Sequence, residues 1–362
     1  MTIISSGRAW RLAVSLMLLS ALVAGCGNAN IVNRIQVLIA VGFDRDGEQC
    51  VGTAAYPNYI QRKGSLAILK GRGKEPKMIM EQFERKSPRK VRYNKLDTIV
   101  FSHDIAKQGL GEAINTVIRD PALGSNVLLA VSSCSAESVI ASLDRQEMEN
   151  SPYNIVKQNV RSGGVPDSNL HLFLHDYYAE GKNPSMPSIS LDETHALKID
   201  GYALFKKDRM KLVLNPIEMT LFEVLNGKRV LGEFPFDYAG SHYSLSLHNG
   251  RMRWSVGAVR TGTFRYDVRL NGSIRNLQGN RLARDIVRSG PFAKSVELQL
   301  RDRLLALLRK IQAAGLDSLG IGECYRSVDR KWNAAAFYRD VYPALTFDVR
   351  VKANLQNSGA GE

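Results

Sequence analysis

The residue with the clearest chemical potential in this chain is a cysteine that follows two small residues near the amino terminus. Cys26 comes directly after Ala24 and Gly25, at the end of a short apolar run. This order is the lipobox pattern, in which the cysteine thiol is diacylated once the preceding segment has been cleaved. The sequence therefore predicts Cys26 as a lipidation site. A plain secretory signal with a chance cysteine and a retained membrane anchor are the alternatives.

The segment before this cysteine has the features of an export signal. Arg8 and Arg11 give it a basic start, and the apolar run from Leu12 to Ala24 has 13 residues. A helix that spans a bilayer needs ~20 apolar residues, so this run predicts a cleaved segment. We therefore assign residues 1–26 to a lipoprotein signal peptide. Two acyl chains on Cys26 would anchor the chain stably, whereas a single chain gives marginal binding.

Three other residue groups contain the types found in catalytic or metal sites. His171 and His175 are four residues apart and would share a helix face, but the sequence nominates no third ligand, so we expect a surface pair. Ser102-His103-Asp104 has the residue types of a catalytic triad, yet sequence neighbours rarely converge in that way, and a turn or helix cap is the better interpretation. Glu323 follows Gly320-Ile321-Gly322, a pattern typical of a tight turn.

The chain shows no signature of a familiar enzyme class. It has no P-loop, no HExxH, no GxSxG and no GxGxxG that follows a strand and opens a helix. Cys50, Cys134 and Cys324 lack CxxC spacing and are odd in number, which predicts isolated thiols, although one disulfide remains open. We therefore expect no enzymatic activity, no catalytic residue, no metal and no cofactor.

Composition indicates a globular, basic protein. Of the 362 residues, 44% are hydrophobic and 23% are charged, and the net charge is +14. The two arginines of the signal account for two of these charges, which leaves +12. Such a charge favours an anionic membrane surface as a partner. Nucleic acid is not expected, because no helix-turn-helix, zinc-finger or aromatic-interleaved basic motif accompanies the charge.

One stretch concentrates this basic charge. Residues 74–95 contain eight Lys or Arg residues and three Glu, and Pro76 and Pro88 interrupt the stretch. Met78, Ile79 and Phe83 are spaced as on one face of a helix. The pattern predicts an amphipathic surface helix with a solvated basic face, and a docking patch for lipid or a partner is the alternative.

The first half of the chain alternates strand and helix patterns. Strands are predicted at 34–43, 96–101 and 127–131, and helices at 106–119 and 136–143. This order predicts a mixed α/β domain over residues 27–198. A proline-containing loop at 181–187 is the candidate boundary region.

The second half, residues 199–356, is predicted to be an α+β domain of antiparallel and mixed strands packed on one long helix. Alternation of apolar and charged residues predicts strands at 264–270 and 347–353, and an apolar stripe predicts a helix over 285–314 that stops at Gly315. Asn271-Gly272-Ser273 has the composition of a hairpin turn. Residues 357–362 are predicted to be a flexible tail.

The chain resembles a known family, the Ger(x)C spore germination lipoproteins, which are the C subunits of germinant receptors. It departs from the family at Gly27-Asn28, where a Trp-Asp pair is common, and at Asn94-Lys95, where Ser-His is common. The segments that carry the resemblance are Cys26, Val41-Gly42-Phe43-Asp44, Arg89-Lys90-Val91-Arg92-Tyr93, Ala106-Lys107-Gln108-Gly109, Arg119-Asp120, Asp200-Gly201-Tyr202-Ala203-Leu204-Phe205-Lys206, Asp317-Ser318-Leu319-Gly320-Ile321-Gly322-Glu323, Trp332 and Phe347-Asp348-Val349-Arg350-Val351.

The resemblance implies a lipid-anchored, non-catalytic subunit of a spore germinant receptor. Such a subunit would lie on the outer face of the spore inner membrane and act with integral membrane A and B subunits in nutrient-triggered germination. The other functions that we consider are a solute-binding lipoprotein, which would need a ligand cleft, and an exported cell-wall enzyme, which would need converging carboxylates.

Overall fold

A computed structural model describes residues 35–58, 65–119, 123–144, 151–227, 230–257, 262–276 and 289–357, together with residues 10, 14, 15 and 17. Cys26 and the predicted cleavage site lie outside the described residues, as do residues 358–362 of the predicted tail. Residues 36–362 form one compact unit. Among the described residues, no helix has the length and apolar character needed to cross a bilayer.

The first half of the chain forms a large mixed sheet with helices on both faces. Its strands β1–β10 are Ile35–Val37, Ala40–Asp46, Gln49–Pro57, Leu66–Gly73, Lys90–Arg92, Thr98–Ser102, Leu128–Ser132, Ser185–Leu191, Leu197–Lys206 and Arg209–Leu214. Its helices α1–α6 are Pro76–Lys86, His103–Gln108, Gly111–Arg119, Ala136–Ser142, Pro152–Ser162 and Leu170–Tyr178.

The eight-stranded sheet has the order β10-β9-β8-β7-β6-β2-β3-β4. Strands β2, β6, β7 and β8 run parallel in its centre, while the outer pairs are antiparallel. All five residues of β6 and all five of β7 are buried, as expected for parallel strands that are covered on both faces. A separate two-stranded sheet joins β1 to β5. The predicted α/β character of this half is confirmed.

Helix α1 confirms the prediction of an amphipathic surface helix in the basic stretch. Its first turn contains Pro76, whose fixed backbone angle suits that position. Ile79 and Phe83 are fully buried, and both contact the position where Gly52 of β3 leaves room for them. The predicted place of Met78 in the apolar stripe is wrong, because its side chain is exposed. Polar contacts add to the docking of the helix: the Arg72 N–H donates to Gln82 Oε1 at 3.1 Å, and Lys86 Nζ donates to the Lys70 carbonyl oxygen at 2.6 Å.

The predicted loop at 181–187 is only partly correct. Pro187 lies inside β8, opposite Tyr202 of β9. Strand β8 pairs with β7 only at Ser188 and Ile189, so the missing N–H of Pro187 falls where no β7 partner is present. The predicted boundary between residues 198 and 199 falls inside β9, which pairs with both β8 and β10.

The second half forms a four-stranded sheet with helices packed on one face. Its strands β11–β14 are Gly232–Tyr238, Ser241–Val256, Thr263–Asn276 and Thr346–Asn357, in that spatial order. Its helices α7–α9 are Pro216–Asn226, Gly290–Ala313 and Ile321–Val328, followed by a short helical stretch over Ala334–Ala336, Phe337–Val341 and Tyr342–Ala344.

The long helix α8 has the predicted apolar stripe. Its stripe residues are all buried, and Ser289 caps its first turn by accepting a hydrogen bond from the Phe292 N–H. Gly315 follows the helix with a positive φ of 68°, as predicted for its stop. The buried stripe consists of Val296, Leu300, Leu304, Leu307, Leu308 and Ile311.

The predicted hairpin turn at Asn271-Gly272-Ser273 is wrong. These residues lie within β13, where they pair with both β12 and β14. A Cβ atom at Gly272 would lie 2.6 Å from the Leu245 side chain and 2.7 Å from the Ser246 carbonyl oxygen. The glycine is therefore needed for the close approach of β12, and not for a turn.

Candidate functional site

A crevice opens at the carboxyl ends of two neighbouring parallel strands, β6 and β7. The segments that follow these strands lie on opposite faces of the sheet. Ile105 of α2 joins the core on one face, whereas Val139 and Ile140 of α4 join the core on the other face. In open α/β sheets, such a divergence of connections creates the usual ligand-binding crevice.

The crevice is polar and carries charges of both signs. Its cavity volume is about 590 Å³. Asp44 of β2 contacts α4 on the other side of the crevice: its carboxylate accepts hydrogen bonds from the N–H groups of Ala136 at 2.8 Å and Glu137 at 2.7 Å. Burial raises the pKa of Asp44, an effect that these two hydrogen bonds oppose. The first turn of α4 is therefore already occupied by a carboxylate of the chain itself.

The Ser102-His103-Asp104 triplet lies in this crevice, but it does not act as the predicted cap. Ser102 is the residue before α2, yet its side chain makes no capping hydrogen bond. Within the described part of the chain, its Oγ and the His103 Nε2 are both buried and without a hydrogen-bond partner. Burial, together with the positive charge of Lys107, lowers the pKa of His103. Serine and histidine are thus not bonded to each other, as a nucleophile and its base would be.

Replacing Ser102 with alanine tests whether the protein itself uses this hydroxyl. Because the hydroxyl is buried without a partner, its loss is expected to leave the free energy of unfolding unchanged or to raise it by about 1 kcal/mol. Urea denaturation of the wild type and of Ser102→Ala measures this. A loss of more than about 1 kcal/mol would show that the hydroxyl has a structural partner.

A second polar cluster joins the two halves of the chain around the buried carboxylate of Asp317. This carboxylate accepts hydrogen bonds from the N–H groups of Ile321 at 2.8 Å and Gly322 at 2.7 Å and from the Tyr338 hydroxyl at 2.8 Å. The backbone of Asp317 is also held, since its N–H donates to Asn183 Oδ1 at 2.7 Å and its carbonyl oxygen accepts from the Asn183 N–H at 2.9 Å. We call these five residues the Asp317 junction.

Lys206, at the end of β9, closes this junction on another side. Its ammonium group donates to the Gly315 carbonyl oxygen at 2.7 Å and lies 5.5 Å from the centre of the Tyr338 ring. Burial lowers the pKa of Lys206, and the negative charge of Asp317 acts in the opposite direction. Full burial raises the pKa of Asp317 to about 6, because desolvation outweighs its three hydrogen bonds. Two of the resemblance segments, 200–206 and 317–323, therefore meet here.

The glycine-rich turn before Glu323 confirms the structural interpretation. Gly320 has a positive φ of 73° and precedes α9. A Cβ atom at Gly322 would lie 2.5 Å from the Tyr338 hydroxyl and 3.0 Å from Gly181. The Glu323 N–H donates to the Gly181 carbonyl oxygen at 3.1 Å. Close packing between the two halves thus explains this turn without catalysis.

The three cysteines of the compact unit are free thiols. Cys50 is buried, while Cys134 and Cys324 are partly exposed. Burial raises the pKa of Cys50 to about 11 and that of Cys324 to about 12, so both thiols stay protonated at neutral pH. The prediction of isolated thiols is confirmed, and the alternative of a disulfide among them is not supported.

The histidine pair lies on the exposed face of α6. His175 Nδ1 is 2.9 Å from Asp176 Oδ1, and Lys182 Nζ is 2.9 Å from Asp176 Oδ2. The carboxylate next to the pair is therefore already engaged with a cation. In the described ranges, no three His, Cys, Asp or Glu side chains are grouped so that they could hold a metal ion.

Sequence reasoning missed the pairing of Asn183 with Asp317. The segment Gly181-Lys182-Asn183-Pro184 had only the composition of a loop, which carries no information about a partner 134 residues away. No local signal in either segment points to the other, because the two residues meet only through tertiary packing.

The fold and the Asp317 junction define a two-part α/β and α+β protein, and comparisons with known proteins show which family has this arrangement. Residues 28–191 match the family described as "Spore germination protein N-terminal domain", and residues 200–359 match "Spore germination B3/GerAC like, C-terminal". Together these matches cover most of the chain, which therefore belongs to the GerAC-like family of spore germination proteins.

Two individual proteins illustrate this relationship. The chain is 22% identical to spore germination protein GerQC of Bacillus cereus over 354 residues, which cover 96% of this chain and 98% of GerQC. A crystal structure of the GerBC protein matches with a TM-score of 0.58 and 13% identity, covering 88% of this chain and 97% of GerBC. The second comparison supports the fold, and the first supports a role in spore germination.

Proposed function

We propose that this protein is a lipid-anchored, non-catalytic subunit of a spore germinant receptor. It acts with integral membrane A and B subunits in nutrient-triggered germination, on the outer face of the spore inner membrane. The observation that carries this proposal is the family match, which begins at residue 28, two residues after the lipobox cysteine. The matched ranges, which end at 191 and restart at 200, support the division proposed at 27–198 and 199–356 as one of sequence, while β9 and β10 complete the sheet of the first half.

In this proposal, Cys26 supplies the anchor and the rest of the chain supplies the contact surfaces. Two acyl chains confine the protein to the membrane surface, which raises its effective concentration near the membrane subunits. The ten residues from Gly27 to Gln36 reach at most ~35 Å when fully extended. The compact unit then stays close to the headgroups, where its positive charge favours an anionic surface.

Replacing Cys26 with alanine tests the anchor. In spores, the wild-type protein is expected in the inner membrane fraction with a mass that includes two acyl chains. The Cys26→Ala protein is expected to lack the mass of the acyl chains and to be absent from that fraction, and spores that carry it are expected to germinate more slowly on nutrients. Fractionation, intact-mass analysis and a germination assay measure the three effects. Cys134→Ala removes another partly exposed thiol and is expected to behave as wild type. Normal location and germination of Cys26→Ala would overturn the proposal.

The polar crevice favours one second candidate, a solute-binding lipoprotein. Among the described residues, Ser102 Oγ and His103 Nε2 are buried without a hydrogen-bond partner, and they could donate hydrogen bonds to a small polar ligand or accept them from it. Thermal unfolding in the presence of amino acids and sugars separates the two functions. A receptor subunit without its own ligand shows no change in Tm, whereas a solute-binding protein is stabilised by the ligand that it binds.

A further inference from the structure

The outer face of the four-stranded sheet carries an unusual arrangement of positive charges. Strand β13 alternates between the two faces: Phe264, Tyr266, Val268 and Leu270 are buried against the core helices, and the residues between them point to the outer face. Strands β12 and β14 alternate in register with β13. The charged side chains that β12, β13 and β14 contribute to this outer face where all three strands pair are Arg251, Arg253, Arg265, Arg269, Arg350 and Lys352, with Asp267 and Asp348 as the acidic members. Strand β11 adds Glu233 and Asp237, opposite Ser246 and His242 and away from these cations.

Three of these cations stand directly opposite one another across the strands. Arg251 of β12 pairs in register with Arg269 of β13, and Arg269 pairs with Lys352 of β14. We call these three residues the cationic row. All three side chains are exposed. Like charges that are directly opposed in a sheet destabilise it, so the fold itself gains nothing from this row.

The acidic residues of the face do not neutralise the row. Asp348 is shared by Arg265 at 2.7 Å and Arg350 at 3.3 Å. Lys352 reaches Glu297 of α8 only at 3.9 Å. In the part of the chain that the structure describes, the side chains of Arg251 and Arg269 take part in no hydrogen bond or ion pair. The row therefore keeps a net positive charge, although Glu297 lies 3.9 Å from Lys352 and Asp267 lies in the same groove.

A shallow groove runs beside this row. It has a volume of about 400 Å³, and its polar lining includes the row together with Arg253, Asp267 and Arg350. The neighbouring positions along the three strands are Asn249, Asn271 and Asn354, which pair in register and are exposed. Amide groups next to guanidinium groups can donate hydrogen bonds to phosphate oxygens.

We propose that the cationic row and its groove bind the headgroups of anionic phospholipids and so set which side of the protein faces the membrane. This inference rests on the proposed anchoring at Cys26, which brings the compact unit to the bilayer. Charge complementarity carries it: the two unpaired guanidinium groups of Arg251 and Arg269, with the weakly paired ammonium group of Lys352 beside them, match a surface of phosphate groups. Each basic residue near such a surface adds favourable energy, which falls off within a Debye length.

The basic stretch at 74–95 is a weaker candidate for the same role. On α1, Glu81 lies four residues from both Lys77 and Arg85, a spacing at which opposite charges compensate each other. The cationic row has no acidic residue between its members. The two surfaces therefore differ in charge arrangement, although both contain exposed basic side chains, and they can be tested against each other.

The test measures binding of the full chain to lipid vesicles in a Cys26→Ala background, which removes acylation. Vesicles of phosphatidylcholine alone are compared with vesicles that contain phosphatidylglycerol. The leader, with Arg8 and Arg11, favours the anionic vesicles too, but it is the same in every variant, so differences between variants report the substituted residues. The quantity compared is the affinity for vesicles that contain phosphatidylglycerol divided by the affinity for phosphatidylcholine vesicles. In the variant Arg251→Gln/Arg269→Gln/Lys352→Gln, this ratio is expected to fall at least tenfold. The matched variant Lys77→Gln/Arg85→Gln/Lys95→Gln removes the same charge from exposed positions and is expected to keep the ratio within about twofold.

Folding is checked by the Tm of each variant, and the row variant is expected to be at least as stable as the parent because a repulsion is removed. An unchanged ratio in the row variant, or a larger loss in the 74–95 variant, would overturn the proposal. So would a row variant that keeps its vesicle binding but loses association with the receptor's membrane subunits, since the face would then be a protein interface. None of these outcomes depends on acylation. The vesicle test can therefore fail while the fractionation test of Cys26→Ala still supports the lipid anchor, and the reverse is also possible.

Discussion

Replacing Asp317 with alanine is expected to lower the free energy of unfolding by about 3–5 kcal/mol. The substitution leaves the N–H groups of Ile321 and Gly322 and the hydroxyl of Tyr338 without their common acceptor. These donors lie in a buried region that links the two halves of the chain, so water does not replace the carboxylate at low cost. Denaturation in guanidinium chloride, followed by circular dichroism, measures the loss.

Asp340 provides the matched control for this prediction. It is exposed, and its ion pair is with the adjacent Arg339, so Asp340→Ala is expected to leave the free energy of unfolding close to that of the wild type. A loss of less than about 1 kcal/mol in Asp317→Ala would contradict the role given to the Asp317 junction.

The free energy of unfolding should also depend on pH through the carboxylate of Asp317. Burial raises the pKa of Asp317 from 3.8 to about 6, so between these values the folded state binds a proton more readily than the unfolded state does. The contribution of this group to stability therefore falls as pH rises from about 4 to about 6 and is constant above that window. In Asp317→Asn this contribution disappears, and stability measured from pH 4 to pH 7 should have a less negative slope than in the wild type.

Replacing Gly201 with alanine is the second change that we expect to be strongly destabilising, by about 3 kcal/mol. A Cβ atom at Gly201 would lie 2.2 Å from the Leu214 carbonyl oxygen, and this oxygen belongs to the backbone of the neighbouring strand β10. The Leu214 carbonyl oxygen can move away from the new Cβ atom only if the backbone of β10 moves. Strand β9 is held on both sides, by β8 and by β10, so such a movement disturbs the pairing of three strands.

Gly124 is the control for Gly201, because a Cβ atom there meets no other atom within 4 Å. Gly124→Ala is expected to stay within about 0.5 kcal/mol of the wild type. Thermal unfolding of both variants tests the comparison. Similar Tm values for Gly201→Ala and the wild type would mean that β10 can move away from β9 at little cost.

Local patterns in the sequence predicted the elements with a clear period. A helix that covers a core on one side repeats its apolar residues about every 3.6 positions, and a strand repeats them at every second position. The apolar stripe of α8 follows the first period, and the alternation in β13 and β14 follows the second. The amphipathic helix between Pro76 and Pro88 was found in the same way. These features depend on neighbours within one element, which the sequence shows directly.

Features that depend on distant partners were not predictable in this way. Pro187 lies in a strand because the pairing of β8 with β7 begins only at Ser188, and Gly272 lies in a strand because β12 approaches it closely. Neither cause is visible near the residue itself. The cationic row shows the same limit, since its members come from three strands and become neighbours only through the register of the sheet.

The parallel pairing of β13 with β14 has a consequence for the order in which the protein is made. Arg265 and its partner Asp348 are 83 residues apart in the chain, and all of α8 and α9 lies between them. During synthesis, β13 thus cannot pair with β14 until residues 346–357 have left the ribosome. If residues 1–26 direct export, this delay keeps the second sheet incomplete while earlier residues cross the membrane. A chain terminated before residue 346 would leave the edge of β13 open to pairing with other chains.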